Sequence, residues 1–502
     1  MTGDITATKV ARGSIYMTVG TIVSSLISIV GFALMTRIIT KPEMGVVAGI
    51  ALLTGLAQAV TDFGLTSSTA RHVAEMKGKG EDTRDVVVSA IAFRIPVSIT
   101  LSSIIFVFAN SVSSALFRTT SFGYVIALLS LDLALLCVNP LMTNVLLGNG
   151  NLLSISVFNV ANTAVSWLSI LALLVAGKGL FGYVLGGIVG DVLTLILLAI
   201  SVARIVDFRG VTWVAFRNQV GQLLKFAYPL YAASLVSFLY TWYDKAIVLG
   251  SMPLPSLGIY NTAYQPFTVL TTIASALGSA LFPYYGVAYG KKDHEAISLG
   301  MKRAITYISL TIFPLTLGLM AASKPTLTIF AGSQYEGGWT VLSIFSLFGL
   351  VYGITPALSN VLLVYRRTIT ILLLSLVPVV SSLIFLPLLW VSGLVGVAIM
   401  KGVSLALSFV LTAYFVNQAV PLRIDKRAVT RTLAASAIMA IIIVILEQII
   451  YNAHLLPLYV IVGAGVYIAI IKMLKVLNKE DFQFLEQVTG KRTAKIISKI
   501  LG

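Results

Sequence analysis

A chain of 502 residues that is 58% hydrophobic and only 11% charged cannot cover a water-facing surface, because soluble proteins carry about 25% charged residues. Its single cysteine, Cys137, excludes an intrachain disulfide, a multi-cysteine metal site and an iron-sulfur cluster. The formal charge of +16 is scattered through short gaps between apolar runs, which reads as membrane topology and leaves no nucleic-acid partner expected.

In chain order, residues 1–13, MTGDITATKVARG, are polar, lack an A-x-A site and lead straight into an apolar run. They predict a cytoplasmic N-terminus and a first span that is retained as the targeting signal. Apolar stretches of about 20 residues, the length a helix needs to cross the hydrocarbon core, centre near 26, 55, 98, 134, 164 and 193. After a polar linker at 206–223 they resume near 237, 270, 312, 351, 380 and 405, and a last pair centres near 438 and 466. The expected fold class is an all-α polytopic membrane protein with fourteen transmembrane helices. Its parts are an N-lobe at 14–205 (spans 1–6), a C-lobe at 224–417 (spans 7–12) and spans 13–14 at 427–477. The segment 478–502 mixes Phe482, Leu485, Ile496 and Ile500 with Lys491, Arg492, Lys495 and Lys499, the pattern of an amphipathic helix on an anionic inner leaflet, so membrane lipids are expected partners.

With both termini inside, 27 of the 35 Lys and Arg residues fall in inner segments and five in outer loops; Arg94, Lys245 and Lys401 lie within spans. This asymmetry predicts a multi-pass protein of the plasma membrane with cytoplasmic termini.

The chain also repeats itself. PLMTNVLL at 140–147 and PALSNVLL at 356–363 share five of eight letters at an offset of 216. Gly45 aligns with Gly258 and Phe117 with Phe330 at an offset of 213, and GLFG at 179–182 aligns with GLVG at 393–396 at 214. Each copy holds six spans, an even number, so the two are parallel repeats, the plan of transporters whose substrate path runs between the halves. Pro140 and Pro356 open the repeated phrase inside spans and are candidate hinges; tolerated helix kinks are the alternative.

The stretch ARGSIYMTVGTIVSSLISIVGFALMTRIITKPEMGVVAGIALL, followed by DFGLTSSTARHV, resembles the opening of polysaccharide transporters in the multidrug/oligosaccharidyl-lipid/polysaccharide exporter superfamily, with Arg37, Pro42 and Gly45 at matching positions. YDKAIVLGSMPLPSLGIYNTAYQPF and ALFPYYG repeat the likeness through Asp244, Gly258, Tyr260, Ala263 and Pro283. Met44, where an aromatic residue is usual, and the turn SMPLPS depart from the pattern. The resemblance implies two six-helix lobes forming a V with two extra helices. It also implies a flippase that moves an isoprenoid-diphosphate-linked oligosaccharide from the inner to the outer leaflet by alternating access, beside the glycosyltransferases or polymerase of the same pathway.

An ionisable side chain at mid-bilayer costs about 2.5 to 3.5 kcal/mol on insertion scales. Arg94, Asp132, Asp191, Asp244, Lys245 and Lys401 lie in spans, and their repeat counterparts Tyr307, Phe348, Leu405, Gly31, Phe32 and Gly187 are all uncharged. Charges needed by the shared fold would appear twice; appearing once, they point to function. For a diphosphate cargo the candidate headgroup-binding residues are Arg94, Lys401, Lys245 and Arg37, with a buried Arg94–Asp132 ion pair as the alternative for Arg94. Asp132, Asp191 and Asp244 are candidates for binding a coupling proton or sodium ion, with polar helix packing as the alternative. No other cofactor is expected.

Catalysis has little support: there is no G-x-x-x-x-G-K-[ST] loop, HEAIS lacks the second histidine of a zinc protease motif, and the outer loops carry almost no carboxylates. The rival readings are an ion-coupled multidrug or small-cation exporter on the same two-lobe plan and a non-transporting membrane scaffold.

Overall fold

A computed structural model describes residues 7–208 and 212–476. The expected amphipathic tail at 478–502 lies outside the described residues, as do residues 1–6. Among the described residues there is no β-strand, as expected for this fold class. Among the described residues thirteen helical segments are long and apolar enough to cross a membrane, where fourteen are expected; the segment near residue 380 is an apolar helix of 17 residues.

The chain divides into two compact units, Met1–Gly258 and Ile259–Gly502. The first contains α1 (Ala7–Met35), α2 (Lys41–Asp62), α3 (Leu65–Lys79), α4 (Arg84–Val107), α5 (Ala109–Phe117), α6 (Gly123–Gly148), α7 (Leu152–Val175), α8 (Gly179–Ala203) and α9 (Trp213–Ser251). Next comes α10 (Leu254–Ala280), which begins in the first unit and crosses the boundary. The second unit continues through α11 (Phe282–Gly290), α12 (His294–Ala321), α13 (Ser323–Ala331), α14 (Trp339–Tyr352), α15 (Thr355–Val364), α16 (Thr368–Ile384), α17 (Pro387–Ala419), α18 (Lys426–Ile449) and α19 (Leu456–Leu474). The repeat begins its second copy with α9, yet α9 packs on α2, α3 and α4, so contacts assign that helix to the first unit.

Helix starts are written locally. Thr40 and Glu43 form a capping box on α2, with the Thr40 N–H donating to Glu43 Oε2 at 2.9 Å, and a proline stands in the first turn. Thr212 caps α9, and Asp293 and Asp425 cap α12 and α18 by accepting from Ala296 N at 2.8 Å and Ala428 N at 3.0 Å. The repeat is visible in the backbone. Nine-residue helices α5 and α13 follow α4 and α12, and the aligned glycines Gly179 and Gly393 both have positive φ, 50° and 58°. Gly45 and Gly258, also aligned, meet within the first unit: a Cβ built on Gly258 would stand 3.0 Å from Gly45 N, so neither position has room for a side chain.

The first unit's core joins Leu65, Val73, Val87, Leu141, Val145, Val202 and Leu223, all essentially buried. In the second unit one core gathers Ile297, Val361, Leu362 and Val416 and another seats α18 and α19 on α12 through Leu317, Ala435, Met439 and Ile471. Large apolar side chains such as Val107, Val175, Trp390 and Met473 face outward, as a lipid solvent requires. The protein is a multi-pass membrane protein.

Candidate functional site

Proline inside a helix leaves the carbonyl four residues earlier without its donor. Three such carbonyls here are taken by side chains from neighbouring helices. Pro140 frees Leu136 O, which accepts from Gln58 Nε2 of α2 at 3.3 Å; Pro314 frees Leu310 O, which accepts from Tyr467 Oη of α19 at 2.8 Å; Pro378 frees Leu374 O, which accepts from Ser408 Oγ of α17 at 3.2 Å. In lipid no water can do this work, so each bend is tied to a partner helix.

Arg94 belongs to the same system. It is 1% exposed on α4, and its Nε donates to Cys137 O at 2.9 Å, one residue past the carbonyl freed by Pro140. Nη1 donates to Thr61 O, and Nη2 stands 3.8 Å from Asp62 Oδ1, which also accepts from Thr66 Oγ1. Thr61 O is available because α2 stops at Asp62, where Phe63 and Gly64 take positive φ of 47° and 69° and turn the chain. A cation there also meets the negative end of the helix dipole. The guanidinium is therefore committed inside the first unit, and its acidic partner is Asp62 rather than the Asp132 expected as the alternative.

Asp132 sits on the other side of α6. Its Oδ2 lies 3.8 Å from where a Cβ on Gly187 of α8 would be, and Asp191 and Thr194 follow Gly187 at spacings of four and three, on the same face of α8. Asn139, two turns beyond Asp132, donates to Asp191 O at 3.2 Å; Asn162 of α7 donates to Asp191 Oδ1 at 3.0 Å and to Thr194 Oγ1 at 2.7 Å. Asp132 Oδ1 and Asn139 Oδ1 are buried without a hydrogen-bond donor. The seam between α6, α7 and α8 is thus an oxygen-rich cluster with two acceptor atoms unused. No group of three or more His, Cys, Asp or Glu side chains forms a metal site among the described residues.

The remaining candidates are dispersed. Asp244 is fully buried near the end of α9, and the neighbouring Lys245 is 8% exposed with Nζ 4.6 Å from the ring centroid of Trp242. Arg37 is exposed in the turn after α1. In the second unit, Lys401 of α17 is 4% exposed, with Nζ 4.6 Å from the ring centroid of Tyr264. Tyr264 is edge-on to Phe345, which also contacts Tyr260 and Phe267, so the ammonium borders an aromatic cluster. Pro140 lies mid-helix in α6, whereas Pro356 stands in the first turn of α15, after a break between α14 and α15. Sequence reasoning misses Gln58, Asn139, Asn162, Thr194 and Tyr264; a polar residue close to an in-span proline or carboxylate is the signal that finds Asn139, Thr194 and Tyr264, and nothing adjacent in the sequence marks Gln58 or Asn162.

The family model for polysaccharide biosynthesis protein matches residues 34–340, more than half of the chain. The chain belongs to this family. Over nearly its whole length it is similar to the probable low-salt glycan biosynthesis flippase Agl15 of Haloferax volcanii, 22% identical over 482 residues that cover 95% of this chain and 98% of the relative. The succinoglycan biosynthesis transport protein ExoT of Rhizobium meliloti is 21% identical over 315 residues, 62% of this chain and 61% of its own. Among solved structures, the lipid II flippase MurJ in an inward closed conformation shares the fold at a TM-score of 0.76 and 14% identity, covering 91% of this chain and 98% of that one. An inward-facing multidrug resistance MATE family transporter of the MOP superfamily matches at 0.65 and 14% identity, covering 79% and 94%. The resemblance read from the sequence and the family agree.

Proposed function

We propose that the protein is a flippase that moves an isoprenoid-diphosphate-linked oligosaccharide from the inner to the outer leaflet by alternating access. The observation that carries the reading is the nearly end-to-end similarity to a glycan biosynthesis flippase. On this reading Lys401, beside Tyr264, and Lys245, beside Trp242, supply positive charge to the diphosphate, since an ammonium within a span is a strong partner for a phosphate oxygen. Arg37 meets the headgroup near a membrane surface. Arg94, whose three donor nitrogens face protein oxygens, acts by holding the end of α2 against the bend of α6.

The cluster of Asp132, Asn139, Asn162, Asp191 and Thr194 fits a coupling proton or sodium ion, since its donors are oxygens and two of them lack partners. Such an ion would neutralise carboxylate charge inside the bundle. Asp244 is a further carboxylate that a proton can reach only through the protein. Pro140 and Pro356 are where the helices change direction during the cycle, both termini face the cytoplasm, and the reaction that supplies the cargo is a glycosyl transfer onto a lipid diphosphate.

The test is export of lipid-linked glycan, scored by outer-leaflet labelling in cells lacking the native gene. Lys401→Ala and Lys245→Ala together are expected to lower export at least tenfold with the protein still folded and in the membrane. Unchanged glycan export, or a change in drug resistance in its place, overturns the reading.

A further inference from the structure

At one end of the second unit, where α12 and α18 begin and α19 ends, the chain forms an open-sided cavity of about 360 Å³. Its charged walls are Lys302 and Arg303 of α12, Arg427 and Arg431 of α18, and Lys475 just past α19. Among the described residues that line it there is one carboxylate, Asp425, already occupied: Oδ2 lies 3.3 Å from Lys302 Nζ and Oδ1 accepts from Ala428 N. The described lining thus holds four more cationic than anionic side chains, in a cavity of three helices that no residue of the proposed cargo path lines. The guanidinium of Arg431 is fixed in place, with Nη1 donating to Leu474 O at 2.6 Å and Lys475 O at 3.3 Å.

Two further features define the ligand. The cavity lies at the ends of membrane-spanning helices, on the side that the Lys and Arg count assigns to the cytoplasm, which is the depth of inner-leaflet headgroups. Its walls also include the apolar side chains of Leu299, Ala428 and Val476. A free anion uses only the cations; an amphiphile with a phosphate head uses both.

We infer that this cavity between α12, α18 and α19 binds the phosphate headgroup of an inner-leaflet lipid. Cations at this depth attract anionic lipid, and basic pockets between spans on the cytoplasmic side hold phosphate heads in this way. The phosphate belongs either to a resident anionic phospholipid or to a polyprenyl diphosphate, and the inference stands whether or not the protein is a flippase.

The full-length protein in neutral detergent is to be titrated with phosphatidylglycerol, phosphatidylcholine and polyprenyl diphosphate, and bound lipid counted by native mass spectrometry. Wild-type protein is expected to hold phosphatidylglycerol about tenfold better than phosphatidylcholine. The triple variant Arg303→Gln, Arg427→Gln, Lys475→Gln is expected to lose that preference, and Arg427→Gln alone to weaken it. Lys291→Gln with Lys292→Gln, exposed and outside the cavity, should keep it. All three cavity residues are exposed, so the variants should melt as wild type does, which is checked by intrinsic fluorescence. Displacement of phosphatidylglycerol by equimolar polyprenyl diphosphate supports the site with the diphosphate as its source; failure to displace supports it with phospholipid as its source. Equal retention of the two phospholipids by wild-type protein, an unaltered preference in the triple variant, or an equal loss in the Lys291/Lys292 control overturns it.

Discussion

The phrase that occurs twice in the chain has two mechanical outcomes. In the first copy Pro140 sits inside α6 without breaking it, the Leu136 carbonyl that it frees is met by Gln58, and the next carbonyl, that of Cys137, accepts from Arg94. In the second, the helix ends at Tyr352 and restarts at Thr355, so that Pro356 falls in a first turn, where its missing N–H removes nothing. The asparagine of the phrase changes role in parallel: Asn144 Nδ2 donates back to Pro140 O at 3.0 Å, whereas Asn360 Nδ2 crosses to Gly278 O of α10 at 2.9 Å. Around it Ala357, Leu358, Val361 and Leu362 are buried in an apolar core. One sequence thus makes a charged, cross-braced bend and an apolar break, and the difference comes from the partner helices, which place Arg94 in one copy and Tyr307 in the other.

The largest effect should come from removing the brace. Arg94→Ala leaves Thr61 O, Cys137 O and Asp62 without it and is expected to cost about 3 to 5 kcal/mol, the range for breaking a buried charge pair. Tyr307→Ala, at the equivalent place, should cost less than about 2 kcal/mol. Thermal unfolding in detergent compares them; equal costs would dissolve the contrast, and an Arg94→Ala protein that melts normally but fails to export would move the residue to the cargo path. Next are the aligned glycines. Gly393, at φ 58° and ψ −130° inside α17, has a backbone closed to other residues, so Gly393→Ala should lose about 1 to 3 kcal/mol. Gly179→Ala, at φ 50° at the start of α8, should lose about 1 kcal/mol. Equal melting shifts would mean that α17 relaxes at its break.

The smallest effects lie at helix entrances. Asp293→Ala should cost α12 about 1 kcal/mol, while Thr83→Ala at the equivalent α4, where no side-chain cap forms, should cost nothing measurable. Asp425 adds a pH signature. The Ala428 N–H first, and then Lys302, hold its carboxyl below the usual range, so its stabilisation is present above the ordinary carboxylate value and fades as pH falls through the lower folded one. Unfolding midpoints between neutral pH and pH 3 should converge for wild type and Asp425→Ala at the acid end.

Much of the fold was legible because lipid demands long apolar helices and a duplicated chain keeps its punctuation: each expected span centre lies in a helix, and Gly179 and Gly393 share a positive φ. The extent of the compact units was not, because the repeat records how the chain is written, while the placing of α9 with the first unit depends on which surfaces it packs. The partner of Arg94 was missed for a related reason. Charge alone suggested Asp132, but the acceptors are backbone carbonyls, Thr61 O at the left-handed turn of Phe63 and Cys137 O near a proline, and backbone oxygens carry no letter. Lys401 was visible as a charge in a span; the ring beneath it belongs to a helix more than a hundred residues earlier.

The proline carbonyls also set a timetable for biogenesis. Gln58 and Arg94 leave the ribosome before Leu136 and Cys137, so the acceptors of the first copy enter the bilayer with their donors waiting. Leu310 has to wait for Tyr467, 157 residues later, which at translation speeds of 5–20 residues per second is roughly 8 to 30 s with a polar oxygen facing hydrocarbon. A nascent chain stalled between those two points would present that oxygen to any membrane chaperone able to offer a hydroxyl.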